Sequence, residues 1–241
     1  MTEAVKHLLI INVIFFVASQ LYGQQMYQWM SLWFPENGNF QWWQLLSQMF
    51  MHGTLMHILF KMYALWAFGT PLEQQWGRNK FLFFYFSAGL GSAALHTGVN
   101  YYLFTEGLNA LLDSGLVMSQ VLDVLAEGKY SPGWYNLASK STIDNMIMAF
   151  STPAVGASGA IYGVLVAFAF MYSEAKLMLI FLPVPIKAKY FVPILLAVDL
   201  IFGIGNVNTG VAHFAHLGGA LIGFVMMWYW KKNQFNKNRW D

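Results

Sequence analysis

No cysteine occurs anywhere in the chain, which removes disulfide bonds and thiolate metal ligation from the available chemistry and leaves the redox compartment open. Charge is also scarce. Asp, Glu, Lys and Arg make up 10% of the sequence and leave a formal net charge of +2, too little to point to nucleic acid as a partner. Histidine is present, but no H-E-x-x-H metal motif accompanies it, and no internal repeat of the transporter kind is detectable. Apolar residues fill the space instead: 57% of the chain is hydrophobic and the mean hydropathy is +0.46. Such a composition excludes an ordinary soluble domain and predicts a polytopic membrane protein, with ten tryptophans and 21 phenylalanines available for interfacial belts.

The apolar runs predict an all-α membrane protein with six spans. They cover residues 8–22, 54–68, 81–97, 158–172, 190–204 and 211–230. No small-residue cleavage site follows the first run, so it reads as an uncleaved span. The aromatic stretch 24–43 is expected at the membrane interface. Residues 99–150 read as a helical insertion outside the membrane between the third and fourth spans, with five acidic and two basic residues. His96 is placed at a helix end beside it. A loop spans 173–189, and residues 231–241 form a basic tail on a single membrane domain, 1–241.

Charge gives the orientation. With both termini inside, Lys6, Arg78, Lys80, Lys176, Lys187, Lys189, Lys231, Lys232, Lys237 and Arg239 are all internal, leaving Lys129 and Lys140 outside and Lys61 in the membrane. Spans two, four and six then begin in the outer half of the bilayer. Those beginnings carry His57 and Lys61, Ser158 and Tyr162, and His213 and His216. Ionisable residues at that depth are functional suspects.

Ser158 stands in Gly156-Ala157-Ser158-Gly159 at the head of the fourth span, where first-turn amides lack intrahelical acceptors and an oxyanion can be held. Small residues run along both the fourth and sixth spans: Gly159 and Gly163 on one, Gly219 and Gly223 on the other. Read alone, these are helix-packing faces. Matched against each other, they bring His216 near Ser158 and make it a better base than His213. Tyr162, one turn below Ser158, is positioned to stack on the imidazole. The outer parts of these three spans contain no carboxylate, so a Ser-His dyad is expected rather than a triad.

On these motifs the sequence resembles the rhomboid family of intramembrane serine proteases, over about residues 8 to 230. Gly156-Ala157-Ser158-Gly159 fits the family's G-x-S-G nucleophile motif, and Ala215-His216-Leu217-Gly218-Gly219 fits its A-H-x-G-G base motif. Phe50-Met51-His52-Gly53 through His57 fits F-x-H-G…H, and Gly69 through Glu73 to Gly77 looks like the turn after that helix, which gives Glu73 a structural role. The resemblance implies Ser158 and His216 as catalytic residues, with the Ser158 amide, His57 and Lys61 at the oxyanion and Tyr162, Gly156 and Gly159 supporting them. Implied substrates are transmembrane proteins in a lipid bilayer, with no metal, nucleotide or other cofactor.

Two departures stand out. Lys61 occupies the place of the family's Asn, and a Trp-Arg pair of the first external loop appears as Trp43-Gln44. The first opens a Ser-Lys mechanism and the second weakens the loop. An alternative from another class is a proteolytically silent relative that binds transmembrane helices; a proton or ion transporter is the third. The insertion reads as a lid or spacer, and Gly203, Gly205 and Gly210 leave room for a gate. The expected location is a bacterial inner membrane with cytoplasmic termini, and the oligomeric state is not specified by the sequence.

Overall fold

A computed structural model describes residues 1–179, 182–205 and 212–233. Gly210, Lys237 and Arg239 lie outside them. The first helix, α1 (Glu3–Tyr22), is followed by α2 (Gln24–Met30) in the aromatic stretch and by α3 (Gln44–Ser47) just after it. Next come α4 (Leu55–Ala64), a π-helical turn (Leu65–Gly69), α5 (Thr70–Trp76) and the long α6 (Arg78–Asp113). Beyond it lie α7 (Met118–Ala126), α8 (Lys140–Ser151) and α9 (Ser158–Met171). An antiparallel hairpin of β1 (Lys176–Leu179) and β2 (Leu182–Lys187) leads into α10 (Ala188–Ile204) and α11 (His213–Asn233).

Helices α6, α9 and α11 form the centre because glycine lets their backbones touch. A Cβ on Gly223 would stand 2.7 Å from Gly163 Cα, and one on Gly218 would stand 2.9 Å from the Gly91 carbonyl oxygen. A Cβ on Gly219 would overlap the Gly159 carbonyl oxygen. This is the small-residue register expected between the fourth and sixth spans, extended to the third by Gly91.

Apolar side chains lie on the outside as well as in the core, unlike those of a water-soluble bundle. Ser92, Ser158, Asp199, His213 and His216 are buried, while Ile14 and Val17 of α1, Leu59 of α4, Ile201 of α10 and Leu221 of α11 point outward. By length and hydropathy, one helix among the described residues, Glu3–Tyr22, qualifies as a membrane span; Ser158–Met171 is apolar but short.

Two expectations about local structure change. The third helix does not end near Thr97 but runs to Asp113, because Phe104, Leu108 and Leu111 recur at helical spacing and pack with Val121, Leu125, Ile143 and Met146 in a second apolar cluster. His96 is therefore within a helix, where its Nε2 meets Asn100 Nδ2 at 3.2 Å. The 173–189 segment is a hairpin whose base is pinned by Glu174, paired with Lys187 at 2.6 Å and with Lys189. Hydrogen bonds from both lysines hold the Glu174 carboxyl down at about 2.

Candidate active site

The nucleophile loop is held from two sides before α9 begins. Leu32 and Ala154 exchange backbone hydrogen bonds of 2.9 and 2.8 Å, and Gly156 N–H donates to the Gln48 carbonyl at 2.8 Å. Gly156 adopts φ +123°, a conformation that L side chains rarely take. A Cβ there would lie 3.5 Å from His57 Nε2 and 3.5 Å from Ser158 Oγ, so its hydrogen leaves open the space between the two groups. Ser158 opens α9 and is buried, and the helix's backbone bonding begins with Ile161 N–H to the Ala157 carbonyl at 3.0 Å. The amides of Ser158, Gly159 and Ala160 are thus the helix's unsatisfied donors.

Local bonding sets the tautomer of His57. Gly53 N–H donates to His57 Nδ1 at 3.4 Å, which makes Nδ1 the acceptor and puts the ring proton on Nε2, the atom facing the Gly156–Ser158 space. Thr54 caps α4 by accepting from His57 N–H at 3.1 Å. His52 is buried behind it, with its Nδ1 3.2 Å from the Phe50 carbonyl and its ring edge-on to His57 at 5.3 Å. These contacts give His52 a structural place.

His216 lies flat on Tyr162, with ring centroids 4.1 Å apart and planes 13° from parallel. His213 instead meets Phe202 of α10 at 5.7 Å. Of the two histidines, His216 faces the nucleophile's helix. Among the described residues no hydrogen bond joins Ser158 to His216; the imidazole is held by its Tyr162 stack and by its Nδ1 contact with Asp199. Lys61 is half-buried, with Nζ 5.9 Å from the Tyr162 ring centroid.

The outer parts of the three helices that carry Ser158, His57 and His216 hold no carboxylate, as expected, but a neighbouring helix supplies one. Asp199, in the middle of α10, is buried, and its Oδ1 accepts from His213 Nδ1 at 2.6 Å and from His216 Nδ1 at 3.1 Å. α10 runs antiparallel to α11, so the middle of the one meets the beginning of the other. A lone ionisable residue within an apolar helix was the available signal. These three side chains place their ligand-type atoms within 4.8 Å of one another. A tetrahedral ion with bonds of about 2.0–2.2 Å keeps its ligand atoms roughly 3.3 Å apart, so a 2.6 Å separation is that of a hydrogen bond.

Gln44 resolves the second departure. It is fully buried, donates from Nε2 to the carbonyls of Asn39 (2.8 Å), Gln28 (3.1 Å) and Trp29 (3.3 Å), and accepts from Trp33 N–H at 3.3 Å. The first loop therefore has a polar hub without arginine. Glu73 is structural, as expected, and its role is specific: its carboxylate accepts from the Ala4 and Val5 amides at 2.7 and 2.8 Å and from the Thr2 hydroxyl, capping α1 from outside.

Comparison with known proteins places this architecture. The rhomboid domain profile matches residues 39–233, and the chain belongs to the rhomboid family, a family of membrane proteins. It is similar to "Rhomboid protein 1, mitochondrial" of Saccharomyces cerevisiae, with 26% identity over 78% of this chain and 42% of that protein. It is also similar to "Rhomboid protease AarA" of Providencia stuartii, with 27% identity over 77% of this chain and 54% of that protein. "Presenilin-associated rhomboid-like protein, mitochondrial" of Rattus norvegicus is 31% identical over 77% of this chain and 36% of its own length. The chain thus spans about half or less of these relatives. They divide between mitochondrial and bacterial proteins, so the bacterial inner membrane expected from the sequence is not supported.

Proposed function

We infer that the protein is an intramembrane serine endopeptidase that cuts transmembrane-segment substrates. His216 Nε2 takes the proton of Ser158 Oγ as the oxygen attacks the scissile carbonyl carbon. Collapse breaks the peptide C–N bond, His216 returns the proton to the leaving amine, and water then hydrolyses the Ser158 ester. The oxyanion is received by the Ser158 amide and His57 Nε2–H, with Lys61 as a third, cationic donor; one such donor is worth about 3 kcal/mol in transition-state stabilisation. The observation that carries the reading is the stack of His216 on Tyr162, one turn below a serine at a helix N-terminus.

In this reading α1, α4–α5, α6, α9, α10 and α11 are the six spans, with lysine-rich ends and both termini on the inner side. The segment 99–150 lies outside and screens substrates. Deleting residues 109–140 without changing the pattern of substrates cut would remove that role. The catalytic reading is tested with a reporter transmembrane substrate in liposomes, using wild type, Ser158→Ala, His216→Ala and Lys61→Asn. The expected result is cleavage by wild type, none by either dyad variant, and covalent labelling of Ser158 by a fluorophosphonate. A wild type that neither cleaves nor labels, but still binds the helix, identifies a silent helix binder.

A further inference from the structure

A carboxylate in the middle of an apolar seventeen-residue helix is costly unless its hydrogen bonds are met, so Asp199 has a reason to be where it is. It faces inward and meets two imidazoles through a single oxygen, Oδ1, at 2.6 and 3.1 Å. A carboxylate only accepts, so the hydrogen in each contact belongs to the histidine's Nδ1. For His216 this fixes the neutral ring as the Nδ1–H tautomer and leaves the lone pair on Nε2. A serine's general base must have its lone pair there. Tyr162 holds the flat of the same ring at 4.1 Å, so stacking restrains its plane and the carboxylate fixes its rotation within that plane.

We propose that Asp199 is a positioning residue for catalysis, acting through His216, so that this chain works as a Ser158–His216–Asp199 set rather than a dyad; the proposal rests on the protease reading above. When Ser158 Oγ bonds to the substrate carbonyl carbon, its proton moves to His216 Nε2 and the ring becomes an imidazolium. Asp199 remains a carboxylate, keeps the Nδ1 proton in its hydrogen bond and balances the new charge. His216 then passes the Nε2 proton to the departing amine, which returns the ring to its starting tautomer. His213, the second donor to Oδ1, anchors the carboxylate with a 2.6 Å hydrogen bond.

A merely structural clamp between α10 and α11 would use the same contacts, so the test must separate the two. Wild type, Asp199→Asn and Asp199→Glu are purified in detergent, and active sites are counted by fluorophosphonate labelling. The turnover of a reporter transmembrane substrate is then measured per labelled site. Positioning predicts that Asp199→Asn loses roughly 10²–10⁴-fold in kcat with KM unchanged, the range of a triad stripped of its carboxylate, and that Asp199→Glu recovers part of it. It also predicts, in ¹⁵N-histidine-labelled wild type, a low-field imidazole proton that vanishes in His216→Ala and moves upfield in Asp199→Asn. A kcat per labelled site within about threefold of wild type, with only melting temperature lowered, overturns the proposal in favour of a clamp. A wild type that is itself inert overturns the protease reading, a result distinct from an active wild type indifferent to position 199.

Discussion

Gly223→Ala tests the packing that brings serine and histidine together. A methyl at this position would sit 2.7 Å from Gly163 Cα and 2.9 Å from its carbonyl oxygen, both backbone atoms that no rotamer change can move. Ordinary contact begins at 3.4 Å, so α9 and α11 must part by about 0.7 Å at this level. Overpacking of this kind costs about 1–3 kcal/mol, which for a chain of this size lowers the melting temperature by roughly 2–4 °C per kcal/mol. His216 lies two turns up the same helix and shares the displacement. Since a 1 Å misplacement can cost about 100-fold in rate, a several-fold to tenfold loss of kcat/KM is expected. The assays are thermal unfolding in detergent and cleavage of a reporter substrate. Gly98→Ala is the matched control, because nothing lies within 4 Å of its Cβ position, and alanine there should be neutral or slightly stabilising. If Gly223→Ala behaves like Gly98→Ala in both assays, close glycine packing is not what sets the register of the site.

Further outcomes follow from other contacts. Gly156→Ala forces a strained φ and fills the space between His57 Nε2 and Ser158 Oγ, so cleavage should fall at least about 100-fold; activity near wild type would refute the oxyanion placement. Tyr162→Phe keeps the ring stacked on His216 but removes the hydroxyl that interacts with Asp199 and should lose less activity than Tyr162→Leu, which should lose about tenfold or more, read as kcat per labelled site. Glu73→Ala strands two buried amides and should cost about 1–3 kcal/mol, with faster exchange of the Ala4 and Val5 amides as the specific readout. Lys61 and Asp199 meet the same stack, Lys61 Nζ 5.9 Å from the Tyr162 ring centroid and Asp199 on His216 Nδ1, so a Lys61→Asn/Asp199→Asn cycle on unfolding should show coupling of about 0.5–3 kcal/mol; strict additivity would separate the two groups.

Most of the candidate site could be read from the chain because it rests on glycine. Gly159, Gly163, Gly219 and Gly223 specify which faces of two helices meet, and Ser158, Tyr162 and His216 occupy those same faces. Asp199 escaped because its partner residues lie 14 and 17 positions away on an antiparallel neighbour, and no spacing rule connects them. Gln44 escaped for a different reason: amide side chains carry no charge pattern, and its hub role appears only once Gln28, Trp29, Trp33 and Asn39 surround it. The extension of α6 was masked by a change of composition, because the charged residues of 99–150 set that segment apart as an insertion although Phe104, Leu108 and Leu111 kept the helical period.

The rhomboid profile begins at residue 39, after α1 has ended, yet Ala4, Val5 and Leu8 of that helix sit in the same apolar core as Tyr162 and Val164. A polypeptide cut at the start of the profile would keep every proposed catalytic side chain and still lose one wall of the bundle. The unit recognisable by descent is therefore smaller than the unit that folds, and expression boundaries for this chain should follow the second.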